Sequence, residues 1–467
     1  MATPSFTPLF SLPDEIINLV CQQFCPCCSQ RTSTRYFFCD GELKLIQDRE
    51  CLLALSLTCK ELRRISQPHL YHRPIGHDFF GFIDTIGRTP TIGQHVRELC
   101  ADSSMIRSFI HQQHYYVDLL ANCNKRYRTH LPDDAQRNPL FRFYTSAGAR
   151  SLLFFGETAG NAEAAIDCLF SVVISLTPKI KRLEICVHTD RKFWSTPAGH
   201  LPNLKQLIIT VAKCFPAGNL DSLAGLLDAA PQLESLELAG LDLREAMKES
   251  EIAFCHNNVN ELILRSSIVH ISRLEAIMRG FPKLQTFRIG APEYWQTLQE
   301  AVPYKIEDIL MLRSDTLKHI TLDFYAHGID YPVVIQDLSE MKVLETLYIN
   351  TRMLRRRWQQ GVLYTRRICR MLPESIKEFG LMGSACSLVH DEVVDSINIS
   401  ARAFPLLRKV VIDRFGGSHQ VDGYVWRRKI TSACEASNIE FSTKVPRSSK
   451  VLRFPDPDRG IRGGTAS

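Results

Sequence analysis

Cysteines crowd the N-terminal part of the chain, where they are the residues best suited to chemistry. The segment SLPDEIINLVCQQFCPCC (11–28) holds four of them, and Cys39 and Cys51 follow. Cys25 and Cys28 have C-x-x-C spacing, and four thiolates hold Zn²⁺ tetrahedrally in structural sites. Cys39 and Cys51 stand alone, however, and form no second C-x-x-C pair. A zinc site and free thiols are both open interpretations, and the missing second pair favours free thiols with no metal and no other cofactor.

The remaining residues that can do chemistry form no recognisable catalytic pattern. His111 and His114 fit one helix face, but no third ligand follows at ligand spacing, so we expect polar surface histidines. The sequence holds no G-x-x-x-x-G-K-[ST], G-x-S-x-G, H-E-x-x-H or G-x-G-x-x-G motif. A redox role for Cys25 and Cys28 is disfavoured because that motif belongs at a strand-to-helix junction. We therefore expect no enzymatic activity.

The composition is that of a globular protein. The chain has 467 residues, of which 45% are hydrophobic and 23% charged. A net charge of +6 is mild for this length and argues against a dedicated nucleic-acid surface. The apolar stretch LFSVVISL (169–176) is far shorter than the about 20 residues of a membrane span. MATPSFTPLF (1–10) lacks the features of a secretory signal. We expect a soluble protein of the cytoplasm, the nucleus or both, with reduced thiols and no membrane partner.

Two amphipathic helices are predicted near the N-terminus. Ser11 is suited to cap the first helix, with Asp14 three residues later and Pro13 in the first turn. Its apolar positions, with Ile17 beside them, are Leu12, Ile16, Val20 and Phe24. The second helix lies in CLLALSLTCKELRRI (51–65), and Pro68 ends it. Its apolar stripe is Leu52, Leu55, Cys59 and Leu62. A unit this small usually completes its core on a partner or needs a staple.

The rest of the chain repeats the pattern L-x-x-L-x-L. Successive copies begin 24 to 33 residues apart, and VRELCA (96–101) stands before them as a possible first copy. The nine copies are IKRLEI (180–185), LKQLII (204–209), LESLEL (233–238), VNELIL (259–264), LQTFRI (284–289), LKHITL (317–322), LETLYI (344–349), IKEFGL (376–381) and LRKVVI (407–412). This period is that of leucine-rich repeats, in which each unit adds one short strand and a return segment.

The return segments are predicted to be helical. Three of them precede strands, and serines are suited to cap the first two: SLAGLLDAA (222–230), SRLEAIMRG (272–280) and YKIEDILML (304–312). The sequence therefore predicts an α/β fold, a solenoid of short parallel strands with helical returns. Asn or Cys is missing from the usual turn position of the last eight copies, which instead holds Ala212, Leu241, Ser267, Pro292, Tyr325, Arg352, Ser384 and Phe415. We therefore expect an irregular solenoid over residues 90–443.

Three segments stand apart from this pattern. Residues 102–160 are predicted to be a folded insertion in an early repeat, and residues 445–467 a disordered tail rich in Pro, Gly, Ser and Arg. TRMLRRRWQQGVLYTRRICR (351–370) carries seven arginines and no acidic residue, with Trp358 and Tyr364 between them. It suits an acidic partner, a phosphorylated segment or RNA, but a solvated helix face is the interpretation we favour.

The N-terminal region resembles the F-box motif. LPDEI (12–16) is similar to its opening Leu-Pro-acidic sequence, and LLALSLTCKELRRI (52–65) to its second helix, which carries a Cys followed by a basic residue. ISQPHLYHRP (65–74) resembles fungal F-box proteins in particular. The resemblance covers residues 10–75. It departs from the motif at about residues 26–50, where a Cys-containing insertion replaces a short connection.

The resemblance implies the substrate-recognition subunit of a Skp–cullin–F-box ubiquitin ligase. Such a protein docks on the Skp adaptor, and through it on cullin and RING subunits, while its leucine-rich repeats hold a target for degradation. The adaptor-binding residues implied by the resemblance are Leu12, Pro13, Ile16, Ile17, Val20, Leu55, Cys59 and Leu62. The alternative is a leucine-rich-repeat scaffold without ligase activity, whose two helices pack on the solenoid as its cap.

The alternation of strand residues predicts where an unknown protein target binds. The second and third leucine positions point into the core, so their neighbours face outward. The outward positions are Glu237, Glu261, Arg265, Arg288, His319, Asp323, Tyr348, Asn350, Lys409 and Asp413. They carry both charge signs, which suits a polar protein surface.

Overall fold

The structure is a computed structural model. It describes residues 12–29, 41–74, 79–101, 173–187, 198–211, 224–243, 255–290, 306–324, 335, 337–354, 367–385, 387–415 and 420–444. The predicted insertion at 102–160, the tail at 445–467, and His111 and His114 lie outside these residues, as does most of the arginine-rich segment. Among the described residues, no helix is both long enough and apolar enough to cross a lipid bilayer.

Three helices form the N-terminal helical unit: α1 (Asp14–Phe24), α2 (Gly41–Thr58) and α3 (Lys60–His72). Its core consists of the buried residues Ile17, Cys21, Cys25, Leu52, Leu62, Ile65 and Leu70. Ile17 and Cys21 lie four residues apart on α1, so one side of this helix faces the core. An ion pair between Asp14 and Arg64 joins α1 to α3 at the surface.

The structure corrects the sequence prediction for this unit in four places. The predicted single helix at 51–65 is two helices, because Cys59 takes an extended conformation with φ −153° and ψ 168°. Its Sγ accepts from the Leu62 N–H at 3.5 Å and so caps α3. Pro68 lies inside α3 and does not end it. Residues 41–50, expected in the inserted connection, are the first turns of α2. Pro13 occupies the N-cap position of α1, one residue before the first turn, and makes no side-chain capping hydrogen bond.

The chain divides into two compact units. The first comprises Met1–Ile208 and Ser222–Leu233, and the second Ile209–Asp221 and Glu234–Ser467. The further elements before residue 234 are α4 (Phe79–Arg88), α5 (Pro90–Gly93), β1 (Glu98–Ala101), β2 (Arg182–Val187), β3 (Gln206–Val211) and α6 (Ala224–Ala229). The predicted domain bounds at 10–75 and 90–443 do not follow this division and stay predictions.

The second unit alternates strands and returns. Its strands are β4 (Ser235–Ala239), β5 (Asp242–Leu243), β6 (Glu261–Arg265), β7 (Ile268–Val269), β8 (Thr286–Gly290), β9 (His319–Asp323), β10 (Thr346–Asn350), β11 (Glu378–Ala385), β12 (Lys409–Phe415) and β13 (Glu440–Ser442). Its helices are α7 (Ile271–Gly280), α8 (Ile306–Met311), α9 (Arg367–Met371), α10 (Ser387–Ala403) and α11 (Gln420–Ala436), with a 3₁₀ turn at Thr351–Leu354.

Eleven strands form a parallel sheet in the order β1-β2-β3-β4-β6-β8-β9-β10-β11-β12-β13. Each of the ten segments with the L-x-x-L-x-L pattern or its VRELCA variant carries one of these strands, so the predicted parallel sheet is confirmed. The strand β13 and the two-stranded sheet β5-β7 were not predicted. Equivalent positions pair along the sheet, as Leu262 pairs with Phe287 and Phe287 with Ile320. All three leucine positions of every copy are buried.

The returns that were predicted as helices are also found. Helices α6 and α8 lie within their predicted segments, and α7 begins one residue before its own. The cap of α7 is not the expected Ser272 but His270, whose ring accepts from the Ser272 N–H at 3.3 Å. A different side chain closes one turn, since the Ser267 hydroxyl accepts from the Leu241 N–H at 3.2 Å.

Candidate functional site: an apolar docking face and a Cys–His cluster

The helical unit exposes a strip of aliphatic side chains on each of its first two helices. On α1 the strip is Ile16, Leu19 and Val20, and on α2 it is Ile46, Leu53 and Leu57. Leu53 and Leu57 lie four residues apart and are 45% and 66% exposed. Ile16, Leu19 and Val20 share the exposed side of α1, beside the side that carries the buried Ile17 and Cys21. We call these six residues the docking face.

The predicted adaptor-binding residues fall into three groups. Ile16, Val20 and Pro13 are exposed, and Leu12, Leu55 and Cys59 are partly buried against the core of the helical unit. Ile17 and Leu62 lie inside that core, where they support the docking face without forming it. The sequence analysis missed Leu19, Ile46, Leu53 and Leu57. Their signal was present, because Leu19 follows Ile16 by three residues and Leu57 follows Leu53 by four.

Four potential metal ligands from two elements converge behind α1, and we call them the Cys–His cluster. Cys25 and Cys28 come from the turn that follows α1, and His69 and His72 from the last turn of α3. One ligand atom from each residue lies within 4.8 Å of all the others. The Cys28 Sγ is 3.2 Å from His72 Nδ1 and 3.5 Å from His69 Nδ1, and the Cys25 Sγ is 3.5 Å from His72 Nδ1.

Local structure brings each pair of the cluster together. The Cys25 N–H donates to the Cys21 carbonyl, and the Ser29 N–H donates to the Cys25 carbonyl, so the CPCC turn continues directly from α1. His69 and His72 are three residues apart on α3 and therefore lie on one side of the helix. Their rings are 4.9 Å apart between centroids and meet edge to face at 67°.

Burial keeps all four groups of the cluster uncharged at neutral pH. It raises the pKa of the Cys25 thiol to about 12 and also raises the pKa of Cys28. It lowers the pKa of His72 to about 4, and the pKa of His69 falls for the same reason. Desolvation disfavours the charged form of each group, which is the thiolate for cysteine and the imidazolium for histidine.

The other N-terminal cysteines of the described chain lie outside this cluster. Cys21 is fully buried in the core of the helical unit, and Cys51 is exposed on α2. Cys27 is half-buried in the same turn as the cluster, with its thiol at the Glu98 carboxylate. Cys39 lies outside the described residues. Cys51 therefore has no part in this geometry, and a histidine pair stands where the sequence analysis considered a second cysteine pair.

The predicted target-binding residues of the sheet are less exposed than expected. Five of them are buried: Glu237, Arg265, Asp323, Tyr348 and Asn350. Of the others, His319 is exposed, and Glu261, Arg288, Lys409 and Asp413 are half-buried. The expectation that all ten are exposed is therefore wrong for half of them.

The charged residues of the sheet pair with one another across neighbouring strands. Arg265 and Glu237 form a buried ion pair, and Arg288 Nη2 lies 3.1 Å from Glu261 Oε1. Lys409 Nζ lies 3.1 Å from Glu378 Oε1. The pairs join residues of adjacent strands, as cross-strand neighbours do. Ion pairs within the sheet therefore neutralise many of its charged side chains.

Tyr348 is buried because its partner on the next strand, Gly380, has no side chain and leaves room for the ring. A Cβ built on Gly380 would lie 2.2 Å from the Tyr348 Cδ1, so no larger residue fits opposite the ring. The Tyr348 hydroxyl donates to Glu378 Oε1 at 2.5 Å. Gly380 in IKEFGL was the sequence signal, since a glycine inside a strand often marks close approach of a neighbour.

Comparison of the sequence with protein-family models and with curated proteins finds no match. The F-box and leucine-rich-repeat interpretations therefore depend on the residues and contacts described above.

Proposed function

We propose that this protein is the substrate-recognition subunit of a Skp–cullin–F-box ubiquitin ligase. In this proposal the helical unit is an F-box-like domain, and the parallel sheet with its helical returns is an irregular leucine-rich-repeat solenoid. The protein performs no chemistry itself. It raises the concentration of a bound target near the ligase that transfers ubiquitin, in the cytoplasm, the nucleus or both.

The docking face is the observation that carries this proposal. Six of the ten large hydrophobic side chains that are exposed in the described chain belong to α1 and α2, so exposed apolar surface is concentrated in the helical unit. Apolar side chains grouped in this way mark protein interaction sites. The LPDEI sequence begins at Leu12, which packs on the core, and runs directly into the exposed Ile16. The proposed occupant is the Skp adaptor.

The sheet is the proposed target-binding region, with fewer candidate residues than the sequence offered. His319 is exposed, and Glu261, Arg288, Lys409 and Asp413 are half-buried, so these five are reachable by a protein surface. The five buried residues would instead hold the shape of the surface. The target remains an unidentified protein with polar recognition chemistry.

One observation favours the alternative, a repeat scaffold whose helices only cap the sheet. The His72 carbonyl at the end of α3 accepts from the Arg97 N–H beside β1, at 2.8 Å. Arg73 Nη1 lies 3.7 Å from Glu98 Oε2 on β1 itself. The end of α3 thus contacts the first strand. These contacts leave the α1 and α2 side chains of the docking face exposed, so capping and docking are compatible.

Adaptor binding tests the proposal directly. We would measure the affinity of the purified full chain for a purified fungal Skp adaptor, together with an Ile16→Asp, Leu53→Asp double variant. The matched control is Ile399→Asp with Leu406→Asp, because Leu406 is 42% exposed and Ile16 is 43% exposed. A charge in a docking hot spot should weaken binding by at least about 30-fold, which corresponds to about 2 kcal/mol.

The outcomes separate the two functions. Binding that is lost in the docking-face variant and kept in the control supports the ligase subunit. An intact chain that does not bind the adaptor leaves the scaffold as the function. Equal weakening in both variants would mean that the added charge, not the docking face, is responsible, and the proposal would then fail.

A further inference from the structure

The Cys–His cluster contains two ligand pairs that are far apart in sequence and meet at one point. Cys25 and Cys28 are separated from His69 and His72 by 41 to 47 residues in the contacts that join them. We propose that these four residues bind one Zn²⁺ ion and form a structural Cys₂His₂ site. This inference does not depend on the proposed function, and it replaces the expectation of free thiols and no metal.

The donor set selects zinc by its chemistry. Thiolate sulfur and imidazole nitrogen together are the ligands of structural zinc sites, whereas Mg²⁺ and Ca²⁺ require oxygen ligands. Two thiolates also cancel the two positive charges of the ion, so the bound site is neutral. A neutral site suits this location, where Cys25 and His69 are buried.

Three of the six distances between the ligand atoms are close to those around a tetrahedral ion, and all six are within 4.8 Å. With Zn–S of about 2.3 Å and Zn–N of about 2.0–2.1 Å, a sulfur and a nitrogen ligand lie about 3.5–3.6 Å apart along a tetrahedral edge. The measured distances between sulfur and nitrogen are 3.2, 3.5 and 3.5 Å. These are also the lengths of weak S–H···N hydrogen bonds, so the experiment must distinguish a metal site from a hydrogen-bonded cluster.

A hydrogen bond outside the cluster orients His69, as such bonds orient histidine ligands in zinc sites. The His69 Nε2 lies 2.8 Å from Asn18 Oδ1, while its Nδ1 faces the cluster. A hydrogen bond from Nε2–H to the amide oxygen fixes the tautomer in which Nδ1 carries the free lone pair. Metal-binding histidines usually have such a partner on their second nitrogen. Asn18 is on α1, so this contact also ties that helix to α3.

The histidine spacing departs from that of zinc fingers in a way the structure explains. His69 and His72 are separated by two residues, where fingers have three to five. Both histidines present Nδ1, the ring nitrogen nearer the backbone, which suits ligands only three residues apart on a helix. Four protein ligands fill a tetrahedral site, so the ion has a structural role and no open position for catalysis.

Zinc at this place would staple the helical unit. It would join the turn after α1 to the last turn of α3, the two helices whose packing holds the docking face in position. The core of the unit is small, and units of this size usually need a metal, a disulfide or a partner. Cysteine binds zinc as the thiolate and histidine as the neutral imidazole, so metal binding would release the thiol protons.

The metal content of the full chain is the first measurement. The chain would be purified without chelators, desalted and analysed for all transition metals, and we expect about one zinc per chain. Cys28→Ser should lose the zinc. The matched control is Cys27→Ser, the adjacent cysteine in the same turn, whose thiol lies at Glu98 outside the cluster. Asn18→Ala should keep the zinc but release it to a chelator about 10–100 times more readily.

Cobalt substitution keeps the test decisive even if Cys28→Ser does not fold. Co²⁺ exchanged into the wild-type chain should give the strong visible bands of a tetrahedral ion and a thiolate charge-transfer band. Far-UV circular dichroism of each variant separates loss of metal from loss of fold.

Three results would overturn the proposal. They are a wild-type chain without zinc that gives no tetrahedral cobalt spectrum, zinc that persists in a folded Cys28→Ser variant, and a different metal held at the cluster in place of zinc. The first would leave a buried cluster of thiols and imidazoles joined only by hydrogen bonds. An adaptor assay with a negative result has no bearing on these outcomes, so the two proposals fail separately.

Discussion

In α1 and α2, isoleucine and leucine side chains lie in solvent, whereas every leucine position of the strand repeats is buried. The two regions also differ in their charges. The sheet pairs Glu237 with Arg265 and Glu261 with Arg288, while the helical unit leaves six large apolar side chains exposed. A region that satisfies its own groups is stable by itself. The exposed side chains of the helical unit carry the proposed docking function, and the proposed zinc site would stabilise the same unit.

The largest difference between the two regions should appear on truncation of a hydrophobic side chain. Phe287 in β8 is fully buried, so Phe287→Ala should lower the free energy of unfolding by about 3–5 kcal/mol through lost burial and a cavity. Leu53→Ala on the docking face should change it by less than about 0.5 kcal/mol. Denaturant unfolding followed by circular dichroism measures both. If Leu53→Ala cost as much as Phe287→Ala, the docking face would not be exposed and the contrast would disappear.

The buried ion pair should give the next largest effect. Glu237→Ala leaves the Arg265 guanidinium without its carboxylate partner at a buried position, which should cost about 3 kcal/mol. A Glu237→Leu, Arg265→Met double variant should recover most of that loss, because both charges are then removed. A double-mutant cycle on the free energy of unfolding measures the coupling. Unchanged stability in Glu237→Ala with loss of target binding would instead make Glu237 a contact residue, as the sequence alone suggested.

The smallest of these effects concerns Gly380. An added methyl group would meet the Tyr348 ring at 2.2 Å, so Gly380→Ala should destabilise the sheet by about 1–3 kcal/mol. The same change in a Tyr348→Ala background should cost much less, because the space is then vacant. Thermal unfolding of the four proteins shows whether the two effects depend on each other. Simple additivity would mean that the ring does not need the glycine.

Local patterns determined most of the sheet in advance. The L-x-x-L-x-L pattern spans six neighbouring residues, and its last two leucine positions alternate as the buried residues of a strand do. All ten strand positions could therefore be read from the sequence. The same alternation failed for side-chain exposure. Tyr348 and Glu237 point away from the leucine positions, yet Tyr348 lies over Gly380 and Glu237 pairs with Arg265 on the next strand of the sheet. Exposure depends on neighbours that the pattern of one strand does not specify.

The sequence predicted that the N-terminal unit is helical, but not where its helices break or which of their sides are buried. Apolar periodicity located helices in α1 and around residues 51–65, but it continued unbroken through Cys59, where the backbone becomes extended and a new helix begins. The sequence analysis also placed exposed and buried residues of α1 in one adaptor-binding set. Ile16 and Ile17 are adjacent in sequence, and packing in the folded unit decides which of them is covered.

The sequence by itself thus determined the strands, the repeat period and the presence of an amphipathic N-terminal unit, since each of these is written over a few neighbouring residues. Tertiary structure alone decided the Cys–His cluster. Cys28 and His69 are 41 residues apart, and no periodicity connects them. They meet because α3 packs along α1 through Ile17, Leu62 and Ile65, and that packing is a property of the folded unit as a whole.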